Sequence, residues 1–379
     1  AGEGPLISKS IWSAPAWQVG ATPFQPPMRA WTHASACAQV ARDFGFDERL
    51  RAQAPDGDEH GLDALLTSER VLASVCEAVI GAVYFGCGYE RVAPAVVAAF
   101  AEQMECDAHS DYLEMVERDD IDCVLVMTPS GMHATMAAEV MRRGKHVATT
   151  KPMDVRLEAI DAATAVAEET GLVYAVDFGR RYEDEPRRIV RAMREGRFGR
   201  PILATIEMKW KRDEEYYGGW RGTWELDGGG SMANQGIHQV DLMQWVMGPV
   251  TRVCGHYAIA GHHNCQTEDL ALAMLEFESG ARGSIVTTTT WTGAQITRVG
   301  IHGTRGAALI ANEALAEWTV PDDDEPLEVG PANIVEDMVG CIRGEREPAC
   351  PAGEGRKSVE ILRAAYLSAE CEEWVELPL

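Results

Sequence analysis

The sequence predicts a two-domain α/β protein: a doubly wound, mostly parallel sheet, then an α+β domain with a large, mostly antiparallel open sheet. Three observations carry this expectation. Short apolar runs alternate with amphipathic helical stretches between Ala82 and Val176. Beyond residue 178 the pattern changes to long period-two runs joined by hairpin turns. The chain has 379 residues, which at roughly 100–200 residues per domain makes two domains natural. The division expected is 1–178 for the first domain and 179–379 for the second, with residues 1–80 atypical of either.

Taken in order, Pro5 to Pro27 is rich in Pro, Trp and Gly and shows no sustained period. Ala52 to Asp63 is polar and turn-rich, and Trp31–Phe44 and Leu62–Val79 read as helices without a place in a topology. Ala82–Phe85 reads as a short strand and Val92–Gln103 as a helix. Asp122 to Met127 is a continuous apolar run, the mark of a strand buried on both faces of a parallel sheet. Helix Ala134–Arg143 stops at Gly144, strand His146–Thr150 follows, then helix Leu157–Glu169, the stop Gly171, and strand Leu172–Val176. This alternation with short links is that of a Rossmann-like sheet. After helix Pro186–Glu195, the run Ile202–Trp210 alternates as a strand packed on one face. Leu270–Phe277 and Gly283–Trp291 form a hairpin, Thr297–His302 and Ala307–Ile310 flank another turn, and helices near Ile334–Ile342 and Lys357–Glu370 close the chain.

Composition narrows the function classes. Lys+Arg total 34 against Asp+Glu 59, a net charge of -25. A polyanion has no general attraction for phosphate backbones or anionic lipid, so neither nucleic acid nor a membrane surface is expected as partner. The ten cysteines form no C-x-x-C pair and several sit in apolar runs, which fits a reduced cytoplasm. No signal-like start and no long uncharged apolar stretch is visible. Lysine is scarce, at positions 9, 145, 151, 209, 211 and 357 only, so a lysine inside a motif stands out.

Four segments could carry chemistry. Gly86-Cys87-Gly88-Tyr89-Glu90-Arg91 lies between a strand and a helix, where glycines let the backbone approach a pyrophosphate. Arg91 stands where a third glycine would be, and a glycine-rich turn without a ligand is the competing reading. Thr128-Pro129-Ser130-Gly131-Met132-His133 and Thr149-Thr150-Lys151-Pro152 follow the ends of two strands, so both should face the crevice where ligands bind in open α/β sheets. Proline after Lys151 keeps that lysine extended. The densest cluster runs from Gly228 to Trp245: three glycines lead into a helix with Asn234 and His238 four residues apart on one face and Asp241 one turn on. A His-x-x-Asp metal pair would need a third ligand, and none is indicated. His262 and His263 read as a solvated doublet.

From Ala82 onward the chain resembles the glucose–fructose oxidoreductase / inositol dehydrogenase / MocA family of NAD(P)-dependent sugar oxidoreductases. The resemblance rests on Asp122–Pro129, Gly144–Pro152, Gly228–Asp241 and Arg356 to Ser368. It implies a Rossmann domain, an α+β domain whose open sheet makes oligomer contacts in a homodimer or homotetramer, and bound NAD or NADP. Carried over by position, it implies catalytic roles for Lys151, His238 and Asn234. Cofactor contacts are implied or placed at Gly86, Gly88, Glu90, Thr128, Pro129, His133, Lys151 and Pro152, and substrate contacts at Lys151, Trp220, Arg221, Asn234, His238 and Asp241. On the family's spacing, Gly86–Glu90 falls at the second strand's end, where Glu90 would hold ribose hydroxyls and Arg91 would favour a 2′-phosphate. The family's first glycine turn then has no counterpart. Thr150 stands for the family's usual Glu and Asn234 for its Asp, so Lys151 should lack two negative neighbours and have a lowered pKa.

The activity expected is hydride transfer between a secondary hydroxyl of a sugar, sugar derivative or cyclitol and nicotinamide. His238 would be a general base titrating near neutrality and Lys151 a stabiliser of alkoxide charge. Two alternatives keep the same fold: a lyase, glycosidase or epimerase with transient oxidation, and a non-catalytic sugar or nucleotide sensor.

Overall fold

The computed structural model describes residues 10–12, 106–109, 111–321, 326–327 and 329–379. The expected elements at Trp31–Phe44, Leu62–Val79, Ala82–Phe85 and Val92–Gln103, and the turn holding Gly86, Gly88 and Glu90, lie outside the described residues. The chain divides into two compact units between Ile121 and Asp122. In the first, strand β1 (Ser10–Trp12) pairs parallel with β2 (Asp107–His109). Helix α1 (Tyr112–Val116) follows, its N-terminus capped by Asp111, which accepts from Leu113 N at 2.9 Å. β1 falls in the segment read as having no period.

The second unit opens with the alternation read from the sequence. Strands β3 (Cys123–Val126), β4 (His146–Thr150) and β5 (Tyr174–Asp177) form a parallel sheet in that order. Helices α2 (His133–Arg142) and α3 (Leu157–Thr170) are the crossovers. α3 ends on Gly171 at φ 67°, a left-handed cap that glycine adopts without strain. β4 is buried on both faces, as an inner strand should be. β3 departs from that expectation: Val124 and Val126 are buried while Leu125 is 37% exposed, because β3 stands at one edge of the described sheet.

Helix α4 (Asp184–Arg194) leads into an eight-stranded sheet. Its strands are β6 (Pro201–Lys209), β7 (Val250–Ala258), β8 (Leu270–Phe277), β9 (Arg282–Thr288), β10 (Ile296–Gly303), β11 (Ala307–Ala311), β12 (Ala314–Trp318) and β13 (Val375–Glu376). The order is β12-β11-β10-β6-β9-β8-β7-β13, antiparallel except for the β6–β9 pair. β7, β12 and β13 were not legible in the sequence. β9 stops at Thr288 rather than Trp291, because the backbone then turns to give Thr289 N to Asp269 O and Trp291 N to Trp210 O. Inward residues such as Ala204, Ile206, Leu275 and Ile285 are buried, whereas Leu272 and Met274 on the other face are 41% and 53% exposed.

Helices α5 (Ile237–Met247), α6 (Ile334–Ile342) and α7 (Ala352–Cys371) complete the unit. α7 starts at Ala352, earlier than the expected Lys357, because Pro351 occupies its N-cap and Glu354 its first turn. α7 packs on β7 and α5 and also reaches β5 and α3, so it joins the parallel and antiparallel layers. Among the described residues no helix is long and apolar enough to cross a membrane, no metal-binding group of His, Cys, Asp and Glu occurs, and the seven cysteines are free.

One ion pair ties these parts together. Arg181, in the turn after β5, donates to both oxygens of Asp241 on α5 at 2.9 and 2.8 Å, and Ser358 on α7 donates to the same carboxylate at 3.0 Å. Arg181 also donates to Ala349 O at 3.0 Å, and Asp241 is 0% exposed. The expectation that Asp241 binds substrate is therefore corrected: both of its oxygens are consumed inside the core. Breaking a buried pair leaves an uncompensated charge, so Asp241→Asn should lower the unfolding free energy by about 3–5 kcal/mol. Urea titration checks this; a loss below about 1 kcal/mol would show that the pair is not what holds these elements together.

Candidate active site

The site grows from the ends of β3 and β4. After β3, Pro129 caps a short 3-10 turn, and Gly131 N donates to Leu226 O at 2.9 Å. A Cβ at Gly131 would collide with Glu225 O, so only glycine permits this close approach. His133 is 1% exposed, and its ring nitrogens lie 2.7 Å from the carbonyls of Thr128 and Pro152. That corrects its expected role as a cofactor contact. His133 is a staple binding the loop after β3 to the loop after β4, with no nitrogen left for a ligand. Asp154 reinforces it by accepting from Ala134 N at 3.0 Å and Val155 N at 2.8 Å.

Lys151 follows β4, and its peptide bond to Pro152 is cis. Its Nζ donates to the backbone carbonyl of Asn234 at 2.5 Å. Burial lowers the ammonium to about 8, Asp227 opposes that drop, and Arg221 and Arg212 add to it. The direction matches the expectation, but the principal cause is desolvation rather than the missing carboxylates at 150 and 234. A carboxylate is present after all, one residue before the glycine run.

Asp227 is 1% exposed and accepts from Gly222 N at 2.8 Å and from the side-chain amide of Asn234. Burial raises it to about 6, while these two donors and the charges of Arg221 and Lys151 hold it down. Asn234 thus faces two ways, its carbonyl to Lys151 and its amide to Asp227. Its side-chain oxygen accepts from Tyr216 OH at 3.2 Å.

The expected single helix carrying Asn234 and His238 is also corrected. Residues Ser231–Gln235 form one π-helical turn, with Gly236 N bonded to Ser231 O at 2.9 Å, and α5 begins only at Ile237. The turn is set by Glu268, a fully buried carboxylate just before β8. It accepts from Gly230 N at 2.5 Å, Met232 N at 2.8 Å and Tyr366 OH at 3.1 Å. Burial pushes Glu268 up to about 7 against the pull of those donors. A Cβ at Gly230 would meet the backbone of Glu268, and one at Gly228 would meet Val155, which explains the glycine run.

His238 sits on the first turn of α5, partly buried, with the Phe178 ring edge-on at 6.2 Å. Among the described residues its ring nitrogens have no hydrogen-bond partner. Burial, Lys151 and Arg180 together push it down to about 3, so the expectation of titration near neutrality is overturned. It is a neutral imidazole throughout the physiological range.

Trp220 and Arg221 lie on the adjacent loop, the Arg221 guanidinium 4.6 Å from the Trp220 ring and 5.1 Å from that of Tyr216. His262 is not a solvated histidine: its ring bonds Asp269 at 3.0 Å and Arg212 O at 2.9 Å. The structure therefore gathers Lys151, Asn234, His238 and Arg221, removes His133 and Asp241, and adds Asp227, Glu268, Tyr216 and Arg212. Asp227 had one signal in the sequence, its position directly before Gly228. Glu268, Tyr216 and Arg212 had none, because they reach the site through tertiary contacts.

Comparison with known proteins agrees with this arrangement. Residues 90–178 match the oxidoreductase family with an NAD-binding Rossmann fold, and residues 187–309 match the GFO/IDH/MocA C-terminal domain. The WlbA dehydrogenase of Bordetella pertussis, solved with NADH and UDP-GlcNAcA, is 32% identical, with TM-score 0.70, over 76% of this chain and 88% of its own. The scyllo-inositol 2-dehydrogenase (NAD(+)) of Bacillus subtilis is 29% identical over 53% of this chain, and the match spans 58% of that relative. The 1,5-anhydro-D-fructose reductase of Ensifer adhaerens is 27% identical over 70% of this chain and 82% of its own. With both halves matched in order and the lysine loop, glycine run and histidine helix brought to one place, the chain belongs to the GFO/IDH/MocA family of oxidoreductases with an NAD-binding Rossmann fold.

Proposed function

We propose that the protein transfers a hydride between a secondary hydroxyl of a sugar, sugar derivative or cyclitol and nicotinamide, as NAD or NADP. Residues 1–178 would bind the dinucleotide and 179–379 the substrate. The observation that carries this is one half-buried ammonium, Lys151, held by the Asn234 carbonyl near Asp227, together with the imidazole of His238, which has no hydrogen-bond partner among the described residues. The relatives named as inositol dehydrogenase and anhydrofructose reductase support the same chemistry.

The residues fit a nicotinamide cofactor. Thr128, at the carboxyl end of β3, has a buried hydroxyl with no hydrogen-bond partner, and Pro129 and Pro152 line the loops that His133 clasps together. When bound, the nicotinamide supplies the hydride acceptor or donor. The chain's own residues handle the proton and the charge. Lys151 spends one of its three N–H donors on Asn234 O and keeps the others for the substrate oxygen, whose developing negative charge it stabilises. His238, neutral and with no hydrogen-bond partner among the described residues, would accept the hydroxyl proton. Asn234 and Asp227 act as positioning residues for Lys151. Exposed Leu272 and Met274 on the open sheet support assembly as a homodimer or homotetramer, and the free cysteines support a reducing cytoplasm.

His238→Ala should lower turnover by at least ~100-fold while leaving cofactor affinity nearly unchanged. Steady-state kinetics with cofactor calorimetry checks this, and unaltered turnover would remove His238 from the chemistry. Activity should be carried by the Lys151 ammonium and so decline as pH rises through about 8. Because Asp227 favours the ammonium, Asp227→Asn should shift that alkaline limb to lower pH. A pH profile of kcat/KM whose alkaline limb stays put or moves upward in Asp227→Asn would refute the coupling. Purified protein that binds neither NAD(H) nor NADP(H) in calorimetry would favour a sensor over an enzyme.

A further inference from the structure

We infer that the substrate carries an anionic oxyacid group, a carboxylate or phosphate, that docks on Arg212 and Arg221 beside Lys151; this deepens the oxidoreductase reading and rests on it. The two guanidiniums share one aromatic ring. Arg212 lies 5.2 Å and Arg221 5.1 Å from the centroid of Tyr216, whose hydroxyl bonds Asn234 of the site. Each is also fixed by a tryptophan, Arg212 at 4.9 Å from Trp210 and Arg221 at 4.6 Å from Trp220. Stacking on aromatic faces immobilises a guanidinium and leaves its N–H edge for a planar oxyanion.

Among the described residues, neither arginine forms an ion pair with a carboxylate. Elsewhere arginines do so directly, as Arg181 with Asp241, Arg252 with Glu276 and Arg356 with Asp161. Arg221 Nε is buried and, among the described residues, has no hydrogen-bond partner, so this donor is left open. Arg212 spends one N–H on Lys211 O at 3.0 Å. The nearby acids are engaged elsewhere. Asp227 is taken by Gly222 N and Asn234, Asp213 faces Lys211 at 3.5 Å, and Glu214 accepts from His263 N at 3.1 Å. Lys151 and Arg221 both act on the buried carboxylate of Asp227, and Arg212 stands near enough to Lys151 to act on its ammonium. Both arginines are close enough to depress the Lys151 ammonium. In a chain of net charge -25, whose overall field repels anions, such a local excess of positive charge has a specific use in gripping one.

The test uses the NAD-saturated full chain and probes that differ in charge at one carbon: glucose against glucuronate, and glucose against glucose 6-phosphate. In calorimetry the charged member of a pair should bind at least ~10-fold more tightly than its neutral counterpart. The preference should weaken with added salt and collapse in Arg221→Gln and Arg212→Gln. Glucuronate and glucose 6-phosphate then tell carboxylate from phosphate. Equal or tighter binding of the neutral sugars, or a preference that survives both substitutions, overturns the inference and leaves the oxidoreductase reading standing. Binding of NAD without binding of any sugar overturns both.

Discussion

The site depends on a buried carboxylate that holds the backbone of its glycine run. Glu268 is fully buried and spends its oxygens on Gly230 N, Met232 N and Tyr366 OH. Those bonds take up backbone donors at the start of a helical segment that would otherwise be orphaned away from water. They also fix where the π turn begins, and so where Asn234 presents its carbonyl and where α5 lifts His238. Tyr366 comes from α7 and Glu268 from the approach to β8, so long helix, sheet and glycine run are locked by one group. The glycines make room for it: a side chain at Gly230 would occupy the space of the Glu268 backbone.

Around Lys151 the balance of burial and charge decides chemistry. Burial alone drives an ammonium toward neutrality, and Arg212 and Arg221 push the same way, while Asp227 pulls back. The outcome, about 8, keeps the group largely charged at neutral pH yet close to its titration. Burial, with help from the same ammonium and Arg180, holds His238 unprotonated. The acceptor imidazole and the donor ammonium are therefore not separate features, since the charge on Lys151 helps keep His238 in its acceptor form.

Much of this is legible in the sequence. The strand and helix alternation from Asp122 to Val176 was readable because each crossover helix is amphipathic and stops at a glycine, Gly144 or Gly171. β7 was not, because its burial is irregular, with Gly255 packed against the backbone of Ala365 and no clean period of two. Lys151 and His238 stood out by motif. His133 and Asp241 looked as functional as they did, since a histidine or aspartate beside a motif has the same letter whether it faces a cleft or the core. Asp227 was overlooked because Asn234 was read as a lost charge, when the carboxylate sits at the head of the same glycine run and meets Asn234 across the turn.

The sequence by itself determined the parallel alternation, the switch to an antiparallel sheet, and the lysine, glycine-run and histidine segments that mark the family. These are local properties, set by periodicity, capping and the steric demands of glycine. Only the tertiary structure decided which polar groups are open to chemistry: that Asp241 belongs to Arg181, that His133 is a staple, that Asp227 meets Asn234, and that two arginines with no ion-paired carboxylate among the described residues share the Tyr216 ring. The physical reason is that protonation and availability depend on burial and on partners brought from distant segments, and neither is written in the spacing of residues along the chain.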